Sequence, residues 1–470
     1  METKEQHHNP PESMTTPQFR GLLDRCIHCG LCLQNCPTYV VMGTEADSPR
    51  GRIQLMRAVS DRRIPMDGAF RKHLDLCLSC LSCQSACPSG VQYGKLIDTV
   101  HLELAQAHKP GLIERGVRWL GLRQFMPHLS RLRLAAKLFR LYQMVGLQKL
   151  VRAINLLPKN LKAMEAILPP LPARHIDYAI AAPAIGEKRG TVLFFYGCLQ
   201  DAFLGDVNKA TIHVLQRNGF EVHFPQAQTC CGAAQVHTGE LDLARDLARK
   251  NIDAFLAPSP FQGEGWGEGD VPSSSQRDYS PRSEAGRGGR GEDYVAIINN
   301  AGGCGAMLKE YAHLLADDPT YAEKAQRFVE KVQDVSEFLA KNLCVPPKGE
   351  IRSRVTYSDS CHLRNAQKIV KQPRDLIKAI PGLEYIEMQS PDRCCGSAGV
   401  YNIVEVDTAN QVLDTRMQDI AATRADTIVV TNTGCHLQLI YGVRKAKLNA
   451  RVVHLVELLE ESYQAERRDA

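Results

Sequence analysis

The chain has 470 residues, of which 44% are hydrophobic and 23% are charged, and its formal net charge is +5. This length and composition are typical of a soluble globular protein of two to four domains, and so small a charge gives no argument for nucleic-acid binding. The polar start "METKEQHHNPPESMTTPQ" lacks the apolar segment of a secretory signal, and no apolar run approaches the ~20 residues of a transmembrane helix. We therefore expect a cytoplasmic protein.

Cysteine is the most informative residue type in this sequence. In a reducing compartment, the 17 cysteines are better explained as metal ligands or redox thiols than as disulfides. Sixteen of them fall into four groups of four. Cys344 is left over, and we expect no role for it.

Residues 1–108 carry the first two groups. The run "RCIHCGLCLQNCPTY" has the pattern C-x2-C-x2-C-x3-C-P, and "LCLSCLSCQSACPSG" repeats it. Three thiolates at this spacing can bind three irons of one [4Fe–4S] cluster, and in the bacterial two-cluster pattern the fourth cysteine binds the other cluster. The two predicted ligand sets are Cys26, Cys29, Cys32 and Cys87 for the first cluster, and Cys77, Cys80, Cys83 and Cys36 for the second. Zinc is the alternative, but a tetrahedral zinc site uses pairs of cysteines and needs neither the third cysteine nor the proline.

Helices are predicted between the two runs. Ser48 and Pro49 suit the N-cap and the first position of a helix through "DSPRGRIQLMRAVSDRR". The segment "GAFRKHLDLC" is helical in pattern and leads into the second run. Residues 1–108 are therefore predicted to form an α-helical ferredoxin-type domain with two clusters. His28 lies between ligands, and we do not expect it to be one.

Residues 109–185 are predicted to be a basic, helical linker without cysteine. Between residues 111 and 174 there are twelve Lys or Arg and two Glu, a net charge of +10. Apolar residues recur every three or four residues in "LSRLRLAAKLFRLYQMVGLQKLVRAINLL", which predicts amphipathic helices. Three interpretations stay open: packing on the protein's own domains, a surface for a partner subunit, or contact with an anionic membrane. Nucleic acid is disfavoured because no binding motif accompanies the charge.

Residues 186–343 and 350–470 are predicted to be two copies of one unit. In each copy a strand-like run leads to a cysteine, a CCG motif follows after 31 or 32 residues, and a second strand-like run leads to a last cysteine. Agreement at three points predicts an internal repeat. Strands that alternate with helical segments predict tandem α/β units with parallel sheets, in which the first and last cysteines follow strands and lie where ligands bind. The cysteines of the two units are Cys198, Cys230, Cys231 and Cys304, and Cys361, Cys394, Cys395 and Cys435.

The first copy contains an insertion. Between its CCG motif and its last cysteine it has 33 more residues than the second copy. The excess falls in residues 258–292, which are rich in Gly, Ser, Pro and charge and are predicted to be disordered. The "GRGGRG" within it matches a dinucleotide-binding pattern, but no strand precedes it and no helix follows, so we expect no nucleotide site.

These motifs support a family resemblance. A doubled CCG unit after a two-cluster region resembles the cysteine-rich family that includes heterodisulfide reductase catalytic subunits and the iron–sulfur subunits of glycolate oxidase, lactate utilisation and anaerobic glycerol-3-phosphate dehydrogenase. Within it, "CIHCGLCLQNCPTY", "DSPRGRI", "CLSCLSCQSACPSGVQYGKLID", "GGCG" and "TGCH" are most similar to glycolate oxidase iron–sulfur subunits.

The CCG units depart from the fullest family pattern, which ends in C-x-x-C. Here "GAML" follows Cys304 and "HLQL" follows Cys435, so each unit keeps four cysteines. The missing ligand puts disulfide chemistry in doubt and leaves a further cluster, a zinc ion or no metal as alternatives in each unit. His362 and His436 directly follow cysteines and are candidates to ligate or tune such a site, with ordinary packing or capping as the alternative.

The resemblance also implies a function. We find no flavin or nicotinamide motif and no catalytic residues in the sequence, so the substrate site is expected on another subunit. The family implies an electron-transfer subunit of a glycolate dehydrogenase complex, which takes electrons from an FAD-containing subunit and passes them to quinone or another membrane acceptor. Peripheral contact with the inner face of the cell membrane would accompany this role. The alternatives are an equivalent relay for D-lactate or glycerol-3-phosphate, a heterodisulfide-reductase-like thiol/disulfide enzyme, and a scaffold with structural zinc.

Overall fold

The computed structural model describes residues 10–108, 111–154, 157–172, 175–257 and 294–469. The insertion predicted at residues 258–292, with its "GRGGRG" sequence, lies outside the described residues. Within the described ranges, every helix is too short or too polar to cross a lipid bilayer.

The described part of the first 108 residues is helical, and both helices that the sequence predicts there are confirmed. Ser48 caps the helix Pro49–Ser60, and its hydroxyl oxygen accepts a hydrogen bond from Gly51 N at 2.9 Å. Asp67 caps the helix Gly68–Asp75 in the same way. The helices of this region are Glu12–Met14, Pro17–Asp24, Pro37–Met42, Glu45–Asp47, Pro49–Ser60, Gly68–Asp75, Ser82–Ser85 and Tyr93–Ala107. All of them except Pro37–Met42 and Glu45–Asp47 contribute side chains to one apolar core.

Each repeat unit contains one four-stranded parallel sheet, as predicted. The strand orders are β2-β1-β3-β4 and β6-β5-β7-β8, so the repeat extends to the topology. The strands are β1 Gly190–Phe195, β2 Phe220–His223, β3 Ala296–Asn299, β4 Val332–Asp334, β5 Ser353–Tyr357, β6 Leu383–Tyr385, β7 Thr427–Val430 and β8 Arg451–His454. The β-branched and aromatic runs "TVLFFYG", "GFEVHFP" and "YVAIINN" in the first unit and "VTYSD", "LEYIEM" and "TIVVTN" in the second predict the first three strands of each sheet. The fourth, β4 and β8, are three or four residues long and were not predicted, because so short a run lacks a readable period.

Helices cover both faces of each sheet, and the two units exchange their last helices. The helix Leu455–Asp469 packs on Gly205–Arg217 of the first unit, and Val335–Asn342 packs on Lys371–Lys378 of the second. One apolar core therefore continues from one unit into the other. The helices of the two units are Cys198–Phe203, Gly205–Arg217, Ala233–His237, Leu241–Leu256, Gly302–Lys309, Tyr311–Leu314, Ala322–Lys331, Val335–Asn342, His362–Ala366, Lys371–Lys378, Tyr401–Val404, Val406–Thr423, Thr433–Ala446 and Leu455–Asp469.

The linker is helical but buries only part of its apolar surface. Its helices are Leu112–Arg118, Trp119–Phe125, Leu129–Met144, Leu147–Ile154 and Lys159–Ala166. Arg133 ties the segment to the first unit through Asp201, with Nε and Oδ2 2.7 Å apart. Of the 24 large hydrophobic side chains that are exposed in the described residues, 16 lie between residues 111 and 174, and Leu112 and Ile113 are 83% and 85% exposed. Packing on the protein's own domains therefore explains only part of the segment.

Candidate functional site

The two predicted cluster-binding loops follow the same backbone path. In each loop, the residues before and after the second cysteine have positive φ: His28 (56°) and Gly30 (85°) in the first, Ser79 (47°) and Leu81 (59°) in the second. This conformation costs free energy for residues other than glycine. Three such residues in two short loops indicate that the chain is bent there so that successive cysteines face one point.

The first loop surrounds a cavity that opens at the surface. The cysteines that line it are Cys26, Cys29 and Cys32 from this loop, and Cys83 and Cys87 from the second run. Cys29 is exposed, and the neighbouring side chains of Ile27 and Leu31 are 67% and 51% exposed. His28 turns its Nε2 to Gln54 Nε2 at 2.7 Å. The first quartet of cysteines is therefore accessible from outside the protein.

The second loop surrounds a cavity that is buried inside the protein. Its cysteines are Cys36, Cys77, Cys80 and Cys83. Arg52 lies in the wall with only 1% of its surface exposed. Its Nη1 is 3.9 Å from Cys36 Sγ, its Nη2 donates to Thr38 Oγ1 at 3.1 Å, and its Nε donates to His73 O at 2.7 Å. A fixed positive charge thus faces the second quartet, where it offsets the charge of thiolates.

The eight cysteines of the two runs line these two cavities, with Cys83 in the wall of both, and thiols grouped in this way fit iron–sulfur clusters. Which cysteine binds which cluster stays a prediction. Burial raises the pKa of Cys32 to about 11 and holds the pKa values of Cys80 and Cys83 well above the usual range. Such thiols lose their protons when a metal binds them. In the described ranges, no three His, Cys, Asp or Glu side chains converge closely enough for a single metal ion.

In the first repeat unit, four cysteines meet at the carboxyl edge of the sheet. Cys198 begins the helix after β1, and Cys304 lies in the helix after β3. The Sγ atoms of Cys198 and Cys230 are 3.5 Å apart, and the Cys231 thiol contacts those of Cys230 and Cys304. The four thiols therefore form one continuous chain, as their placement after strands predicts.

The second repeat unit has the same arrangement. The Cys394 thiol contacts those of Cys361 and Cys395, and the Cys395 thiol contacts that of Cys435. Asn432 Nδ2 donates to Cys435 Sγ at 3.4 Å. The hydrogen bond with Cys394, together with burial, raises the pKa of Cys395 to about 12. The sequence repeat thus extends to the order in which the thiols touch.

Two side chains that sequence analysis did not identify hold the first CCG backbone in place. Asn251 Nδ2 donates to Cys230 O at 3.0 Å, and Tyr311 Oη donates to Cys231 O at 2.9 Å. Neither belongs to a motif, because each reaches the site from a helix that is distant in sequence. Cys344, outside the four groups, is exposed.

The histidines that follow cysteines have different surroundings. His362 Nδ1 lies 3.5 Å from Cys361 Sγ, and its ring centroid is 6.1 Å from that of His237. His436 Nε2 donates to Val452 O at 3.3 Å. His436 Nδ1 is buried and has no hydrogen-bond partner among the described residues.

The second cluster-binding loop lies directly against the second CCG unit. Cys80 and Cys394 belong to the same apolar cluster. Asn365 Nδ2 donates to Cys80 O at 2.8 Å, across 285 residues of sequence, and Tyr401 Oη donates to Leu76 O at 3.1 Å. Sequence reasoning could not find this junction, since a contact over such a separation leaves no local pattern. It brings the second quartet next to the cysteines of the second unit.

Two ferredoxin-type cysteine quartets, followed by paired quartets on parallel sheets, define a multidomain iron–sulfur protein. Family models match the same regions. Residues 22–91 match the 4Fe-4S dicluster domain, residues 113–168 match the linker region of the glycolate oxidase iron–sulfur subunit, and residues 192–260 and 355–440 match the cysteine-rich domain CCG.

Full-length relatives identify the family. A probable glycolate oxidase iron–sulfur subunit from Bacillus subtilis is 40% identical, with 94% of each chain covered. The glycolate oxidase iron–sulfur subunit of Escherichia coli is 32% identical, with 95% of each chain covered. The chain belongs to the glycolate oxidase iron–sulfur subunit family, which confirms the resemblance of its motifs.

Two more distant proteins are also similar to this chain, one in sequence and one in fold. A fumarate reductase (CoM/CoB) subunit from Methanothermobacter marburgensis is 26% identical over 97% of this chain and 74% of its own. The crystal structure of a hypothetical protein from Helicobacter pylori superposes with a TM-score of 0.52 at 8% identity, covering 97% of this chain and 75% of that one. The latter similarity shows a shared fold.

Proposed function

We propose that the chain is the electron-transfer subunit of a glycolate-oxidising complex, which takes electrons from an FAD-containing subunit and delivers them to quinone. The observation that carries the proposal is the pair of cysteine-lined cavities, one with the exposed Cys29 and one buried against the second CCG unit. The names of the two full-length relatives support glycolate as the substrate of the complex. A [4Fe–4S] cluster, when bound, accepts and releases single electrons at a potential that its surroundings set.

The surface quartet is where electrons would arrive. Cys29 is exposed, and Ile27, Leu31 and Met42 add exposed apolar side chains around the first run. Exposed apolar groups of this kind are typical of a protein–protein contact. We therefore place the FAD-containing subunit against this loop, so that its flavin lies near the first quartet.

The buried quartet is where electrons would pass on. Arg52 supplies a positive charge, and the apolar cluster around Cys80 excludes water from the junction. Asn365 fixes the distance between the second loop and the second CCG unit. In this proposal, the domains 1–108, 186–343 and 350–470 act in series, and the two CCG quartets hold a further metal centre.

The linker gives the proposed complex its contact with the membrane. It combines a net charge of +10 between residues 111 and 174 with sixteen exposed large hydrophobic side chains in the same range. Basic helices with exposed Leu, Phe and Trp suit the surface of an anionic bilayer at the cytoplasmic face. Flotation with vesicles that contain phosphatidylglycerol should recover the protein, whereas vesicles of phosphatidylcholine alone should not. Recovery with neither kind of vesicle would assign the surface to a partner subunit instead, and equal recovery with both would show that the basic charge has no role in membrane binding.

Three cysteine variants test the relay. Cys29→Ser and Cys80→Ser each remove one ligand from one quartet, and Cys344→Ser is the matched control. In the reconstituted complex, we expect the first two to reduce quinone-linked glycolate turnover at least 100-fold while glycolate still reduces the flavin at the normal rate. Full turnover in either variant would contradict the proposal. Addition of D-lactate or glycerol-3-phosphate in place of glycolate tests the substrate, since only the true substrate should reduce the flavin.

A further inference from the structure

A cleft lies between the two repeat units, on the far end of two cysteine-bearing helices. Its volume is about 350 Å³, and its apolar wall includes Phe203, Leu204, Ile440 and Val443. The end of the linker, with Pro169, Pro170 and Pro172, forms its rim. These walls are rigid and apolar, as they are in sites that bind flat ring compounds.

One end of the cleft is polar. Glu457 and Arg451 line it, and Asp206 faces them from the first unit. His436 also lines the cleft, with 4% of its surface exposed. Its Nε2 donates to Val452 O, so its Nδ1 is an acceptor, and this atom has no partner among the described residues. An unsatisfied buried acceptor costs free energy unless a ligand hydroxyl or a water meets it.

The cleft is close to both CCG quartets. The helix Cys198–Phe203 begins at a thiol of the first unit and ends at the cleft, and five residues of α-helix span ~7.5 Å. In the second unit, the helix Thr433–Ala446 carries Cys435 and then His436. A molecule in the cleft would therefore contact His436, the residue that follows Cys435, and would lie about one and a half helical turns from Cys198.

We propose that this cleft is the binding site for the quinone acceptor, an inference that rests on the proposed relay function. The apolar wall would hold the ring and the start of its isoprenoid tail. The protonated Glu457 carboxyl would donate to one ring oxygen, and His436 Nδ1 would accept from a hydroxyl of the reduced ring. The exposed apolar linker ends at the rim, which places the opening next to the proposed membrane contact.

Reduction of the quinone in this cleft needs two electrons and two protons. The reduced protein delivers the electrons singly. One proton comes from the Glu457 carboxyl, whose O–H bond breaks as the ring O–H bond forms, and the other comes from solvent. Solvent then reprotonates Glu457. Desolvation raises the pKa of Glu457 to about 7, so the group is partly protonated at neutral pH.

The test uses the full chain, reduced with dithionite and freed of excess reductant, with decyl-ubiquinone as the probe. Ile440→Trp fills the cleft, and Val404→Trp, on a side chain that is 60% exposed elsewhere, is the matched control. We expect Ile440→Trp to raise the Kd for decyl-ubiquinone at least tenfold and Val404→Trp to leave it within twofold. We expect Glu457→Gln to keep the Kd within threefold of wild type but to slow reoxidation of the protein by the quinone at least tenfold.

The outcomes separate this inference from the relay itself, because glycolate takes no part in the measurement. If Ile440→Trp and Val404→Trp bind the quinone equally, the cleft is not the site. If the wild-type protein neither binds decyl-ubiquinone nor is reoxidised by it, while glycolate still reduces the complex, the cleft is not a quinone site and quinone is not the acceptor. Electron transfer from glycolate to this chain then stands. If Ile440→Trp does not fold, Glu457→Gln decides alone. If the quinone reoxidises this variant as fast as it reoxidises the wild-type protein at every pH between 6 and 8, the proposal is overturned.

Discussion

The guanidinium of Arg52 should set the reduction potential of the iron–sulfur cluster that the buried quartet of cysteines would bind. The side chain is 1% exposed, and three hydrogen bonds orient its guanidinium group towards Cys36. A positive charge stabilises the reduced, more negative state of a redox centre. Arg52→Met should therefore lower the potential of the centre that this quartet binds, and Arg52→Lys should restore much of it.

The size of the shift follows from the distance. Arg52 Nη1 is 3.9 Å from Cys36 Sγ, so the charge lies roughly 6 Å from the middle of the quartet. With an effective dielectric constant of about 20, one unit charge at ~6 Å contributes about 3 kcal/mol. For a one-electron couple this corresponds to a decrease of about 120 mV. The buried Asp47 carboxylate, left without this neighbour, would act in the same direction.

The assay is a redox titration of the purified chain followed by EPR, in which the signals of the two quartets are resolved. Arg57 lies on the same helix but pairs with Asp24 near the surface, so Arg57→Gln is the matched control. We expect one midpoint potential to fall by about 120 mV in Arg52→Met and neither to move by more than ~20 mV in Arg57→Gln. Equal potentials in wild type and Arg52→Met, with cluster content unchanged, would refute the electrostatic argument.

Three further predictions concern stability. Gly30→Ala should lower the Tm and reduce the free energy of unfolding by ~1–2 kcal/mol, because φ is +85° and the new Cβ would lie 3.1 Å from an arginine nitrogen. Gly21→Ala is the control: it lies in a helix with open space around it and should be neutral or stabilising. Ser48→Ala should cost ~1 kcal/mol by removing the helix cap, and a Tm within 1 °C of wild type would argue against that. Glu457→Gln should change the pH dependence of stability. Desolvation raises the pKa of the Glu457 carboxyl from 4.5 to about 7, so the free energy of unfolding of the wild-type protein should fall by up to ~3 kcal/mol as the pH rises from about 5 to 7.5. The variant should lack this fall. Parallel plots of Tm against pH would show that the carboxyl is not buried as described.

The parts of the protein that depend on local spacing were predictable from the sequence. The spacing C-x2-C-x2-C-x3-C-P predicts two cluster-binding loops, and the structure places the eight cysteines of these loops around two neighbouring cavities. Their division into two crossed quartets stays a prediction. The repeat followed from three matched anchors, and the two sheets share one strand order. Even the cap at Ser48 could be read from a short polar residue before a proline.

The parts that depend on contacts between distant residues were not predictable. The hydrogen bond from Asn365 to the second loop and the exchange of last helices join residues that share no motif. The number of apolar side chains that the linker leaves exposed was not predictable either. An amphipathic pattern shows that a helix has an apolar face, but it does not show whether another part of the protein covers that face. The strained φ of Leu81 has no signal in the sequence either, since its counterpart in the first loop is Gly30.

The central claim is that glycolate delivers electrons to two iron–sulfur clusters in this chain. The most direct measurement is EPR of the complex, purified anaerobically and frozen before and after addition of glycolate, with dithionite as the reference for full reduction. The account predicts that glycolate raises the signals of reduced [4Fe–4S] clusters at up to two spins per chain, and that Cys29→Ser and Cys80→Ser each remove one of them. Cluster signals that appear with dithionite and never with glycolate would contradict it.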